Sequence, residues 1–154
     1  MRILTILFLL LAMPLAAQSI GPRDGWVVMP TGKAYGALID DLKAAVKAEK
    51  FGVVTQAGPT GAAANRGITI PGNRVIGVFN NVDAVRILGL STAAMIEAPI
   101  RFYVTEEADG TATLSYKTPS YVFAPYFDEG GEDLMKAAGE LDMVFQTIAN
   151  AAIR

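Results

Sequence analysis

Apolar and polar positions recur along this chain with periods that change several times, and each change marks an element. The first short β-type run is Trp26-Val27-Val28-Met29, stopped by Pro30-Thr31-Gly32. Over residues 33–50 the period becomes helical. Tyr35, Leu38, Leu42, Ala45 and Val46 share one face, and Asp40, Asp41, Lys43, Lys47 and Glu49 lie off it. Residues 51–55 are β-branched and aromatic and end at Gly58-Pro59, after which residues 62–66 form a short helical stretch closed at Gly67. Residues 74–79 read as a buried strand. Asn80 or Asn81 can cap the helix that follows, whose apolar area comes from Val82, Val85, Ile87, Leu88 and Leu90. A second helical turn over residues 92–97 stops at Pro99.

The clearest unit is a β-hairpin, residues 100–106 and 111–117, with Asp109-Gly110 in its turn. Residues 118–127 carry Pro119 and Pro125 and read as irregular. The last helix, about residues 132–151, sets Leu134, Ala138, Leu141, Phe145 and Ile148 on one core-facing stripe. Strands and helices mix without strict alternation, so the expected class is α+β. A mainly antiparallel sheet carries helices on one face, in the order β-α-β-α-β-α-β-β-α.

Several short patches along this order resemble the bacterial family called domain of unknown function 302, from about residue 26 to residue 148. They are Phe51-Gly52-Val53-Val54 after an amphipathic helix, then Val75-Ile76-Gly77-Val78-Phe79-Asn80, then Ala98-Pro99-Ile100-Arg101-Phe102-Tyr103-Val104. Glu106-Glu107, Asp109-Gly110, Leu114-Ser115-Tyr116 and Pro119 follow. Where such proteins often show Gly-Phe, Asn-Pro and Leu-Pro, this chain has Phe51-Gly52, Asn80-Asn81 and Ala98-Pro99. The resemblance implies a compact α+β domain with room for a homodimer. It carries no established activity and assigns no catalytic residue.

The N-terminal pattern is of another kind. Arg2 is followed by residues 3–17, apolar except for Thr5, and then by the small residues Ala16, Ala17 and Ser19. Positive, apolar, small is the order of a secretory signal peptide, and the run is shorter than the ~20 residues a membrane span needs. The expectation is a signal peptide over residues 1–19, cut after Ala17 or Ser19. It leaves residues 20–154 as a single domain that is periplasmic or secreted, with no stable membrane insertion after cleavage.

Composition narrows the chemistry. The formal net charge is −2, and losing Arg2 with the leader makes the chain more acidic, against nucleic acid as a partner. With 0 His and 0 Cys, Ser-His-Asp and Cys-His catalysis are excluded, as are ordinary zinc, copper, haem and iron–sulfur sites. No cofactor and no metal is expected, and no catalytic residue is assigned.

Candidate binding residues come from two places. Alternation puts Arg101, Tyr103 and Thr105 on one face of their strand and Thr111, Thr113, Ser115 and Lys117 on one face of the next. That face is either a solvated outer surface or a weakly cationic seat for an anion. Ser115 and Lys117 also suggest a nucleophile and base, which would need the lysine buried. The second place is the aromatic segment Tyr116, Tyr121, Phe123, Tyr126 and Phe127, which forms a pocket lip or seals the core. The acidic run Asp128-Glu129-Gly130-Gly131-Glu132-Asp133 reads as a helix N-terminus more readily than as a calcium loop. Gly58-Pro59-Thr60-Gly61 lacks the Lys-Ser/Thr end of a phosphate loop.

The functional expectation is a non-enzymatic domain that binds a small ligand or an envelope protein. The candidate residues are Tyr116, Tyr121, Phe123, Tyr126, Arg101, Tyr103 and Lys117. The alternatives are a cofactor-free enzyme using Lys117, Tyr103 or a carboxylate, and a structural homodimer of an envelope assembly.

Overall fold

Among the described residues five strands pair antiparallel throughout, in the spatial order β1-β5-β4-β3-β2. They are β1 (Trp26–Ala34), β2 (Gly52–Ala57), β3 (Asn73–Phe79), β4 (Ile100–Glu106) and β5 (Thr111–Lys117). The structure, a computed structural model, describes Ser19 to Arg154; the expected leader lies outside the described residues. The helices are α1 (Tyr35–Ala48), α2 (Thr60–Ala64), α3 (Asn81–Leu90), α4 (Pro119–Phe123) and α5 (Phe127–Ile153), with single 3-10 turns at Ala93–Glu97 and Ala124–Tyr126.

The core lies between the sheet and the helices α1 and α5. From the sheet come Ile76, Val78, Phe102, Val104, Leu114 and Tyr116, and from α1 Leu38, Leu42 and Val46. The stripe expected on α5 is buried at every position: Leu134, Ala138, Leu141, Phe145 and Ile148. Phe145 stacks on Phe102 with ring centroids 4.8 Å apart and also meets Tyr116 at 5.8 Å and Phe51 at 6.2 Å. Burying one such ring contributes ~1.5–3 kcal/mol, with ~0.5–1.5 kcal/mol more for each well-placed aromatic pair. Lys33 ties β1 to both helices: its Nζ lies 2.5 Å from Asp41 of α1 and donates to the Ala152 carbonyl, 2.8 Å away in the last turn of α5. A cation there opposes the negative end of the helix dipole.

Three elements differ from expectation. β1 runs through Pro30-Thr31-Gly32 to Ala34, its register against β5 shifting between Pro30 and Ala34, and the helix starts only at Tyr35. Residues 119–127 are helical, because the hydroxyl of the cap Thr118 accepts the Tyr121 amide and Pro119 occupies the first turn of α4. In α3, capped by the Asn80 side chain at 2.8 Å from the Val82 amide, only Ile87 is buried. Val82 is 78% exposed and Val85 62% exposed, so most of the apolar area expected of this helix faces solvent. The helix is only ten residues long, and the neighbouring face of α5 reaches one side of it alone.

α5 bends at its start. Gly131 sits at φ 59° inside it, so the regular helix runs on from Glu132. Among the described residues no helix is long and apolar enough to cross a membrane.

Candidate functional site

The face of the sheet turned away from α1 and α5 is built by rows of cross-strand neighbours. Trp26 pairs with Lys117, and Arg101 pairs with Gly77. Phe102 and Tyr116 are partners, so the next position along the antiparallel ladder sets Arg101 opposite Lys117. One row therefore reads Trp26, Lys117, Arg101, Gly77, and the row beside it reads Val28, Ser115, Tyr103, Val75. Like charges directly opposite each other on a sheet repel. Among the described residues neither Arg101 nor Lys117 forms an ion pair with a carboxylate; the pairs present join Lys33 to Asp41, Lys43 to Asp40 and Arg86 to Glu140.

Beside this row lies a groove of about 390 Å³ lined by Trp26, Val75, Glu97, Arg101, Tyr103 and Lys117 together with Ile100, Tyr116 and Val122. Its walls are placed by local chemistry. Gly77 has no side chain, and a Cβ there would fall 2.9 Å from the Pro99 ring and 2.2 Å from the Thr55 hydroxyl. Pro99 therefore packs onto the outer face and brings the Glu97–Ile100 segment to the rim beside Arg101. Trp26 is flanked by two cations, Arg23 at 5.1 Å and Lys117 at 5.8 Å from its ring. Cations over an indole face are held by its negative quadrupole. Val122 arrives on α4.

Of the sequence candidates, the structure brings Arg101, Tyr103, Lys117 and Tyr116 to this groove. Tyr116 is a strand residue turned mainly into the core, where burial pushes its hydroxyl up to about 12 with Asp142 adding to the shift. The other aromatics divide. Phe123 is 3% exposed and belongs to the core. Tyr121 is 47% exposed, and its ring lies over Gly25, where a Cβ would meet it at 2.1 Å. Tyr126 is half-buried and donates its hydroxyl to Glu97 Oε1 at 2.8 Å. The aromatic segment therefore divides, Phe123 lying in the core, Tyr116 lining both core and groove, and Tyr126 bonding to the groove residue Glu97.

The sheet face is not solvated throughout, as a plain outer surface would be. Ser115 is 0% exposed because Val28 and Tyr103 flank it, and Thr113 is covered as well. Ser115 Oγ donates to the Tyr103 carbonyl at 3.4 Å, while Lys117 is exposed, so no hydrogen bond links them as nucleophile and base. In the acidic run, Asp128 and Glu129 occupy the first turn of α5, and Glu129 accepts the Ser91 hydroxyl at 2.5 Å. Among the described residues no cluster of three or more His, Cys, Asp or Glu is placed to hold a metal ion.

A second cavity lies on the helix side of the sheet, beneath α3. It is lined chiefly by apolar residues, among them Phe51, Ile87, Met95 and Phe123, with Asp83 at its edge, and its volume is about 40 Å³. That is room for a water or a methyl group rather than for a ligand of ordinary size. Burial raises the Asp83 carboxyl above its usual range, against the opposing effect of Arg86.

The family model for the domain of unknown function DUF302 matches residues 27–151 of the sequence. The chain belongs to the DUF302 family. Its fold agrees with that of a crystal structure of an uncharacterized conserved DUF302 protein from Bacillus stearothermophilus. The TM-score is 0.75 at 19% sequence identity, covering 86% of this chain and 100% of that one. At that identity the likeness concerns the DUF302 fold alone. No curated protein is matched in sequence.

Proposed function

We propose that this DUF302 chain is an exported, non-enzymatic binding domain that takes a small anion with an apolar body in the outer-face groove. The observation that carries the reading is the opposed pair Arg101 and Lys117. Two cations share one row of the sheet, in an acidic protein, with no carboxylate partner among the described residues. An anion bridging them would replace their mutual repulsion with charge-assisted hydrogen bonds. Trp26, Val75, Ile100 and Val122 supply the apolar surface beside them. The arrangement of an apolar wall with few convergent polar groups is that of small-molecule sites in general. The apolar leader of residues 3–17 supports export.

Trp26 is the one tryptophan of the chain, so its fluorescence reports on the groove directly. Caproate should change the Trp26 emission at concentrations where hexanol, its neutral analogue, does not. Replacing both Arg101 and Lys117 by Ala should weaken caproate by about tenfold or more. Equal responses to caproate and hexanol, or a double variant that binds caproate as the wild type does, would remove the proposal.

A further inference from the structure

Glu97 is the groove residue that anion binding leaves unexplained. A carboxylate on the rim opposes the very charge that Arg101 and Lys117 attract, yet the fold holds it there. It closes the 3-10 turn Ala93–Glu97, is half-buried, and lines the groove with Ile100 and Val122. Tyr126, just before α5, donates its hydroxyl to Glu97 Oε1 at 2.8 Å. This bond raises the Tyr126 pKa, so the phenol remains a donor and the carboxylate remains anchored. Among the described residues Glu97 makes no ion pair with Lys or Arg.

Glu97 and Arg101 are four positions apart in sequence. Both line the one groove of about 390 Å³, so a single small molecule seated there meets both. The same groove is lined by the apolar side chains of Ile100, Val75 and Val122.

Resting on the reading of the groove as an anion site, we infer that Glu97 is a specificity-determining residue that selects a bipolar ligand. A carboxylate head sits at Arg101 and Lys117, a short apolar spacer crosses Ile100 and Val122, and an ammonium end meets Glu97. A simple anion leaves Glu97 facing an apolar tail, which is how a site rejects a ligand that lacks the matching donor.

The test compares caproate with ε-aminocaproate, which differ only in the terminal ammonium, by titrating Trp26 fluorescence of the wild type and of Glu97→Gln. Gln keeps an oxygen to accept the Tyr126 hydroxyl while removing the charge. The wild type should bind ε-aminocaproate about tenfold more tightly than caproate. Glu97→Gln should lose that preference while caproate binds at least as well as before. Equal affinities in the wild type, or a preference that survives in Glu97→Gln, would overturn the role of Glu97 and leave the anion site standing. Absence of a Trp26 response to both compounds would overturn the two readings together.

Discussion

Side chains on a sheet report their surroundings through the neighbours they are given, and Arg101 and Lys117 are given each other. An opposed pair of like charges costs a sheet a few tenths of a kcal/mol up to ~1 kcal/mol, which a bound anion would return. Tyr116, one position inward from Lys117, shows the opposite environment. Burial and the charge of Asp142 push its hydroxyl up to about 12, above the ordinary value of 10.0. The unfolded chain releases this proton first as the pH rises, so Tyr116 favours unfolding increasingly between about pH 10 and pH 12. Below that window it contributes no slope. A displacement of this size corresponds to a loss on the order of 2–3 kcal/mol across the window. Urea unfolding from pH 8 to pH 12 should show this fall in the wild type, and Tyr116→Phe should lack that part of it. Parallel profiles for the two proteins would rule out a buried, protonated Tyr116. At this scale alternation alone placed Arg101, Tyr103 and Lys117 on one face, because the Asp109-Gly110 turn fixes the hairpin register. Trp26 and Glu97 escaped it. The pairing of Trp26 with Lys117 joins distant parts of the chain, and Glu97 reaches the rim through the packing of Pro99 on Gly77, for which no local period exists.

Elements were legible where one stripe of side chains faces one core. α1 and α5 carry such stripes, and the hairpin strands β4 and β5 have the bounds expected of them. In α3 the apolar residues are not confined to the side that α5 covers, and Val82 and Val85 are turned to solvent. α4 departs from the irregular stretch expected of residues 118–127, because Pro119 stands at the first helical position, where Pro favours a helix. The decisive signal was Thr118 before Pro119, a helix cap whose hydroxyl accepts the Tyr121 amide at 3.3 Å. Its removal defines an element-scale test, since α4 carries Phe123 into the core and Val122 to the groove. Thr118→Ala should cost ~1 kcal/mol of stability in urea unfolding, and the amides of α4 should exchange with solvent faster than those of β5. Unchanged stability and unchanged exchange would show that packing of Phe123, rather than the cap, holds this helix.

In the whole molecule, the helices cover one face of the sheet and leave the other to the groove, so stability and the charged part of the site draw on different residues, while Ile100 and Tyr116 serve both. The core of Phe102, Tyr116, Phe145 and their neighbours is complete without Arg101, Lys117 or Glu97. This division explains why periodicity conveys the α+β class and the shared face of Arg101, Tyr103 and Lys117, but not the partners Trp26 and Glu97 that complete the groove. Periodicity encodes the buried face, and a binding face is marked only by what stands together across strands. It also separates the outer-face groove from the small cavity beneath α3. The most direct measurement is chemical-shift mapping of the protein by NMR as caproate is added. Binding in the outer-face groove should move the Trp26 indole N–H, the one such resonance in the chain, together with the amides of Tyr103 and Lys117, while Phe51 and Met95 stay in place. Shifts confined to Phe51, Met95 and Phe123, or a titration that leaves Trp26 unmoved, would contradict it.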